Sequence, residues 1–97
     1  MAELVFHPEA QAEYERSLAW YQNRSPREAN RFEAEMERVL IATGSNPAMF
    51  PKYDGSQRFA SPRRAPFSVV YQIQTERVYV VAVAHSRRAA SDWRARE

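Results

Sequence analysis

No cysteine occurs among the 97 residues, so neither a disulfide framework nor a thiolate metal site can hold the fold together. His7 and His85 are the two imidazoles, too few for a protein-only metal centre, and neither metal nor cofactor is expected. Glycine is scarce: Gly44 and Gly55 each mark a break in the chain's regular patterning. No apolar run approaches the roughly 20 residues that cross a bilayer. The start, Met1-Ala2-Glu3-Leu4, places no basic patch ahead of an apolar segment. No membrane association is expected, and the chain is expected in the cytoplasm.

What remains is the composition of an ordinary soluble domain, with 44% hydrophobic and 27% charged residues. The length fits one domain over 1–97, because chains of this size have no room for a second core. A net charge of +2 conceals an asymmetry. Residues 1–50 carry five basic groups against eight acidic ones, whereas residues 51–97 carry nine against four, eight of the nine being arginine. The planar guanidinium fork pairs bidentately with phosphate or carboxylate, so the basic half suits an anionic partner such as nucleic acid or an acidic peptide. A solvated, solubilising face is the alternative.

Along the chain, Leu4-Val5-Phe6 reads as a brief edge strand that ends at Pro8, where a helix can start. Ala10, Tyr14, Leu18 and Tyr21 recur at helical spacing and predict an amphipathic helix to about Asn23. Ser25-Pro26-Arg27-Glu28 is a capping-box start for a second helix, whose buried stripe continues through Ala29, Phe32, Met36 and Val39 or Leu40. Gly44 and Asn46-Pro47 supply its stop. The stretch from Ser45 to Gln57 holds two prolines and Asp54-Gly55 and is expected to be a loop. The period then changes to two: Arg58–Arg64 predicts a strand ended or interrupted by Pro62, and Phe67, Val69, Tyr71 and Ile73 line one face of another. Val78–Ala84, apolar on both faces, predicts a central strand reached through a glycine-free hairpin at Thr75-Glu76-Arg77. Residues 89–96 can make two helical turns. The expected fold is α+β: a two-helix antiparallel hairpin packed on a three- to four-stranded antiparallel sheet, with a short C-terminal helix.

One set of motifs is more specific than this outline. Pro66-Phe67, Val69-Val70-Tyr71, the apolar run Val80–Ala84 ending in His85, the pair Arg87-Arg88 and the tail Trp93-Arg94-Ala95-Arg96 occur in that order, with Asn46-Pro47 and Phe50-Pro51 upstream. Together they resemble the RelE/ParE family of toxins from type II toxin–antitoxin systems. The resemblance implies a toxin neutralised by a cognate antitoxin within a higher-order complex. It also implies action on either DNA gyrase or ribosome-bound messenger RNA; a non-toxic nucleic-acid-binding module is a further alternative, which would explain the basic half but not the helical hairpin and the tail pattern.

The resemblance also directs attention to particular residues. If the chain is a ribonuclease, His85 is the general base and Arg87 the phosphate clamp. Otherwise His85 is a structural ring bonded to backbone, and Arg87 pairs at the surface with Asp92 or Glu97. Arg58, Arg63, Arg64, Arg87 and Arg88 are candidate target-binding residues. Trp20 and Tyr21 adjoin at a helix end, where one ring must leave the main stripe, and are candidate antitoxin contacts; a second packing surface is the alternative. Trp93 stands where RNA-cleaving relatives place an acid–base group, and indole cannot shuttle a proton near neutral pH. It reads as a packing anchor for the tail, and this thin acid–base inventory favours binding, with gyrase ahead of messenger RNA.

Overall fold

The computed structural model describes residues 2–62, 66–85, 93, 95 and 96. Strand β1 (Glu3–Phe6) leads into helix α1 (Pro8–Arg24) and helix α2 (Pro26–Ser45), then a 3-10 turn (Pro47–Met49). Strands β2 (Lys52–Asp54), β3 (Gln57–Ala60), β4 (Phe67–Gln74) and β5 (Arg77–His85) follow. His7 caps α1 by accepting the Glu9 N–H on Nδ1 at 3.0 Å, and Pro8 occupies the first position, where a missing N–H costs nothing.

Ser25 alone joins the two helices. Its N–H donates to Tyr21 O and closes α1, while its Oγ accepts from Glu28 N–H and opens α2. A single extended residue thus turns the chain back, which forces the helices antiparallel and side by side. The helix stripes bury as expected: Ala10, Ala29, Phe32, Met36 and Val39 are in the core, with Tyr14, Leu18 and Tyr21 packed against it. Gly44 does not stop α2. The helix runs through it to Ser45, and the bare Gly44 carbonyl accepts from Ala2 N–H at 2.9 Å, tying the N-terminus to the helix end.

The helical hairpin on a sheet is the α+β architecture the pattern implied. Among the described residues the sheet has five strands in the order β1-β5-β4-β3-β2, more than the three or four expected, and β1 lies parallel to β5 where an all-antiparallel sheet was expected. The reason is non-local: β1 fills the edge of β5 after a helical excursion, which no local signal reports. The extra strand β2 comes from the presumed loop, where Gly55 at φ 57 makes the turn into β3. Strand β3 ends at Ala60, before Pro62. The glycine-free hairpin between β4 and β5 pairs Gln74 with Arg77 and holds Glu76 at φ 61. The expected C-terminal helix lies largely outside the described residues.

Why Val78–Ala84 is apolar on both faces follows from the register. Val70 pairs with Ala82 and Tyr71 with Val80, which leaves Val81 as a bulge. Val78, Val80 and Val83 therefore face the helices with Phe32, Met36, Val69 and Tyr71. Tyr79, Val81, Ala82 and Ala84 face the other way, where Trp93 covers them with Val70 and Phe59. Trp93 is 3% exposed and its ring lies 6.0 Å from that of Phe59, so this one side chain covers the second face of the sheet.

Candidate functional site

Strand β1 reaches only as far as Val80 along β5, because Pro8 turns the chain into α1. Beyond that point no strand among the described residues pairs with this edge of β5, and α1 runs beside it. Two side chains fill the gap. Glu13, on the buried stripe of α1 and 4% exposed, accepts the Val83 N–H on Oε1 at 3.0 Å. Arg96 returns from the tail to donate to both carboxylate oxygens of Glu13, each at 3.0 Å, and to Val81 O at 3.2 Å. A buried bidentate ion pair of this kind repays desolvation only when its remaining donors and acceptors are met, and here backbone groups of the open strand meet several of them.

A groove of about 360 Å³ opens along the same edge. Arg16, Ser17, Trp20 and Tyr21 line it from α1, Pro66 and Phe67 from the entry to β4, and His85 from the end of β5. Phe67 and His85 are register partners, with rings in edge contact at 5.3 Å. From there an aromatic chain runs into the core: Phe67 lies 5.4 Å from Phe32, Phe32 stacks on Tyr21 at 4.9 Å, and Tyr21 meets Trp20 edge-on at 5.0 Å. Core packing thereby fixes Tyr21 and Phe67, while Trp20 is carried outward and is 55% exposed, with the Arg24 guanidinium 4.7 Å above its ring.

The chemistry this groove offers is aromatic and cationic. Burial, reinforced by Glu28 and opposed by Arg24, pushes the Tyr21 hydroxyl above its ordinary pKa, so it holds its proton at neutral pH. Among the described lining residues His85 is then the one group suited to take up a proton. No cluster of three or more His, Asp or Glu able to hold a metal ion exists among the described residues.

The candidate residues separate. His85, Trp20 and Tyr21, assigned to different tasks by the sequence, come together in one groove. Arg58 does not join them: its guanidinium donates to Phe50 O at 2.6 Å and Ala48 O at 3.3 Å and holds the 3-10 turn. Beside it the buried Tyr71 hydroxyl donates to Pro47 O at 2.5 Å. Arg63, Arg64, Arg87 and Arg88 lie outside the described residues. Glu13 and Arg96 were missed as a pair. A signal existed, since Glu13 falls on the Ala10–Tyr14 stripe, where a carboxylate needs a buried partner.

Comparison with known proteins decides the family. The family model described as the ParE toxin of the type II toxin–antitoxin system parDE matches residues 4–90. The chain belongs to the ParE toxin family. It is the toxin component of a type II toxin–antitoxin system, and an antitoxin is its partner. A solved chain of the chromosomal ParDE system from P. aeruginosa is similar to this ParE-family toxin, with a TM-score of 0.74. The two are 15% identical over 88% of this chain and 96% of that one, a likeness of fold. No curated protein sequence matches the toxin. No helix among its described residues is long and apolar enough to cross a membrane.

Proposed function

We propose that this toxin acts by occupying its target rather than by cutting it, that the target is DNA gyrase in the cytoplasm, and that the antitoxin anchors in the Trp20–His85 groove. The observation that carries the reading is the content of that groove: an exposed tryptophan with Arg24 stacked over it, Arg16 on the wall and a single proton acceptor among the described lining residues. Acyl or phosphoryl chemistry asks for a base, an acid and a charge clamp in mutual reach, whereas tight binding asks for a large aromatic anchor and complementary charge. Trp93, buried against the sheet, is withdrawn from any acid–base task.

Neutralisation follows from the shared location. An antitoxin segment with an apolar anchor against Trp20 and acidic groups facing Arg16 and Arg24 also covers His85, two residues before Arg87 in the chain. Occlusion of the arginine-rich segment by the same segment is the inhibitory step. Supercoiling by purified gyrase should fall on addition of the toxin and recover with antitoxin. Trp20→Ala should weaken antitoxin binding by about 2 kcal/mol or more, on the order of 30-fold, the loss expected of a central aromatic anchor. Unchanged antitoxin affinity removes the anchor from the proposal; undisturbed supercoiling removes gyrase.

A further inference from the structure

Helix α1 carries a stripe that the packing of the core does not explain. Arg16, Trp20 and Arg24 recur at a spacing of four, so they rise along one side of the helix over about 12 Å. All three are exposed. The positions beside this line, Ser17, Ala19 and Asn23, carry no charge. Trp20 thus offers a large apolar surface to water, 55% exposed, with a guanidinium one helical turn away on either side.

The tryptophan ring is held in place. The Arg24 guanidinium lies 4.7 Å over it, and Tyr21, itself stacked on the core ring of Phe32 at 4.9 Å, meets its edge at 5.0 Å. Trp20 is therefore a supported aromatic wall of the groove of about 360 Å³, with Arg16 and Ser17 on the same helix and Phe67 and His85 from the sheet. That volume lies at the small end of the range for ligand pockets, about 300–1,000 Å³, and gives room for one flat ring system and its substituent. A fixed aromatic face between two exposed cations is the arrangement that holds single-stranded nucleic acid, whose bases stack on the ring while its phosphates pair with the cations. A duplex cannot use it, because its base faces are already stacked on one another.

We propose that the Arg16–Trp20–Arg24 stripe is a site for single-stranded nucleic acid, in which one base stacks on Trp20 in the groove and the phosphates on either side of it lie on Arg16 and Arg24. Arginine side chains are long enough to converge on two phosphates that flank a single base, and the guanidinium fork matches each of them. Stacking and phosphate pairing are blind to base identity, so the site has little sequence preference. It shares a groove with the antitoxin anchor proposed above without resting on it, since the argument uses only the stripe's own chemistry. An acidic segment laid along the stripe would compete with the nucleic acid for the same guanidinium groups.

The test uses the full-length toxin and fluorescein-labelled oligomers of about twelve nucleotides, oligo-dT and oligo-rU, followed by fluorescence anisotropy. Oligo-dT should bind about tenfold or more tightly than the same strand in a duplex with oligo-dA, and than an abasic strand with the same phosphates, the difference that stacking on one aromatic ring makes. W20A should weaken binding by a similar factor, and W20F by much less, because a phenyl ring keeps a stacking face. R16Q/R24Q should lower the slope of log affinity against log salt by about 1.4, the share of two phosphates on a single strand. These positions are exposed, and far-UV circular dichroism should show each variant folded. Binding of oligo-dT alone assigns the site to DNA, of oligo-rU alone to RNA, and of both to the chemistry they share. Equal affinity for single strand, duplex and abasic strand, a folded W20A protein that binds unchanged, or an unaltered salt slope in R16Q/R24Q would overturn the proposal and leave any binding to arginines elsewhere in the chain. Antitoxin affinity of the same variants is a separate result: if W20A loses nucleic acid and keeps the antitoxin, the anchor reading fails and this site stands.

Discussion

Removing the Glu13 carboxylate should be among the most damaging single changes in this protein. Glu13→Ala strands the Arg96 guanidinium, whose side chain is 13% exposed, and takes the acceptor from Val83 N–H in the central strand. Breaking a buried ion pair from one side costs about 3–5 kcal/mol, and an orphaned backbone N–H about 1–3 kcal/mol within or beyond that. A domain of this size has a total stability of about 5–15 kcal/mol, so about a fifth or more of it is at stake. Glu13→Gln keeps an oxygen for Val83 and loses the charge, and should cost about 2–3 kcal/mol. Arg96→Met should cost nearly as much as Glu13→Ala, because it strands the other half. In the Glu13→Met/Arg96→Met double variant both charges are gone, and the loss should fall short of the sum of the singles by at least about 2 kcal/mol. Urea unfolding at neutral pH followed by far-UV circular dichroism measures each term. Additive single losses, or a Glu13→Ala protein within about 1 kcal/mol of wild type, would mean that the pair contributes nothing and the tail is held by Trp93 alone.

Other outcomes follow from the same packing. Phe32→Ala opens a cavity where helix, sheet and aromatic chain meet and should cost about 3–5 kcal/mol in the same assay; a near-neutral result would place the helix stripe on the wrong face. Glu76→Gly relieves a left-handed residue in the β4–β5 turn and should raise the urea midpoint slightly, by up to about 1 kcal/mol of stability, with a lowered midpoint counting against that backbone geometry. Tyr14, Tyr21 and Tyr71 all have pKa values raised on folding, chiefly by burial. Their neutral forms favour the folded state, so this stability is complete below the unfolded value of 10.0 and is lost as pH rises through the folded values. Thermal melts between pH 9 and about 11 should show the decline, and Tyr14→Phe should blunt it; a melting temperature flat across that range contradicts the burial.

The parts of the fold that were legible rest on short-range physics. Helical spacing placed both stripes, the Ser25-Pro26 step placed the turn between helices, and the two-residue period placed β4. Pattern also assigned Trp93 to packing. What escaped depends on contacts distant in sequence. β1 joins β5 across more than 70 residues, so its parallel pairing and the strand count could not be read locally. The Val81 bulge was hidden because an uninterrupted apolar run looks the same with or without a skipped partner. At the candidate site, Trp20, Tyr21 and His85 were each noticeable as residues. Their meeting in one groove depends on where β1 ends and α1 takes over, and the hold of Arg58 on an irregular turn depends on backbone carbonyls that no side-chain pattern reports.

Binding against cleavage is settled most directly with His85→Ala, a change at a half-buried strand end that circular dichroism can show to be folded. Purified gyrase and a ribosome programmed with messenger RNA should be challenged in parallel with wild-type and variant toxin. On the binding mechanism, both proteins should inhibit supercoiling with closely similar concentration dependence and neither should cut the message. Cleavage of the message by wild type, reduced about 10²–10⁴-fold in the folded His85→Ala protein while supercoiling is untouched by either, would contradict it.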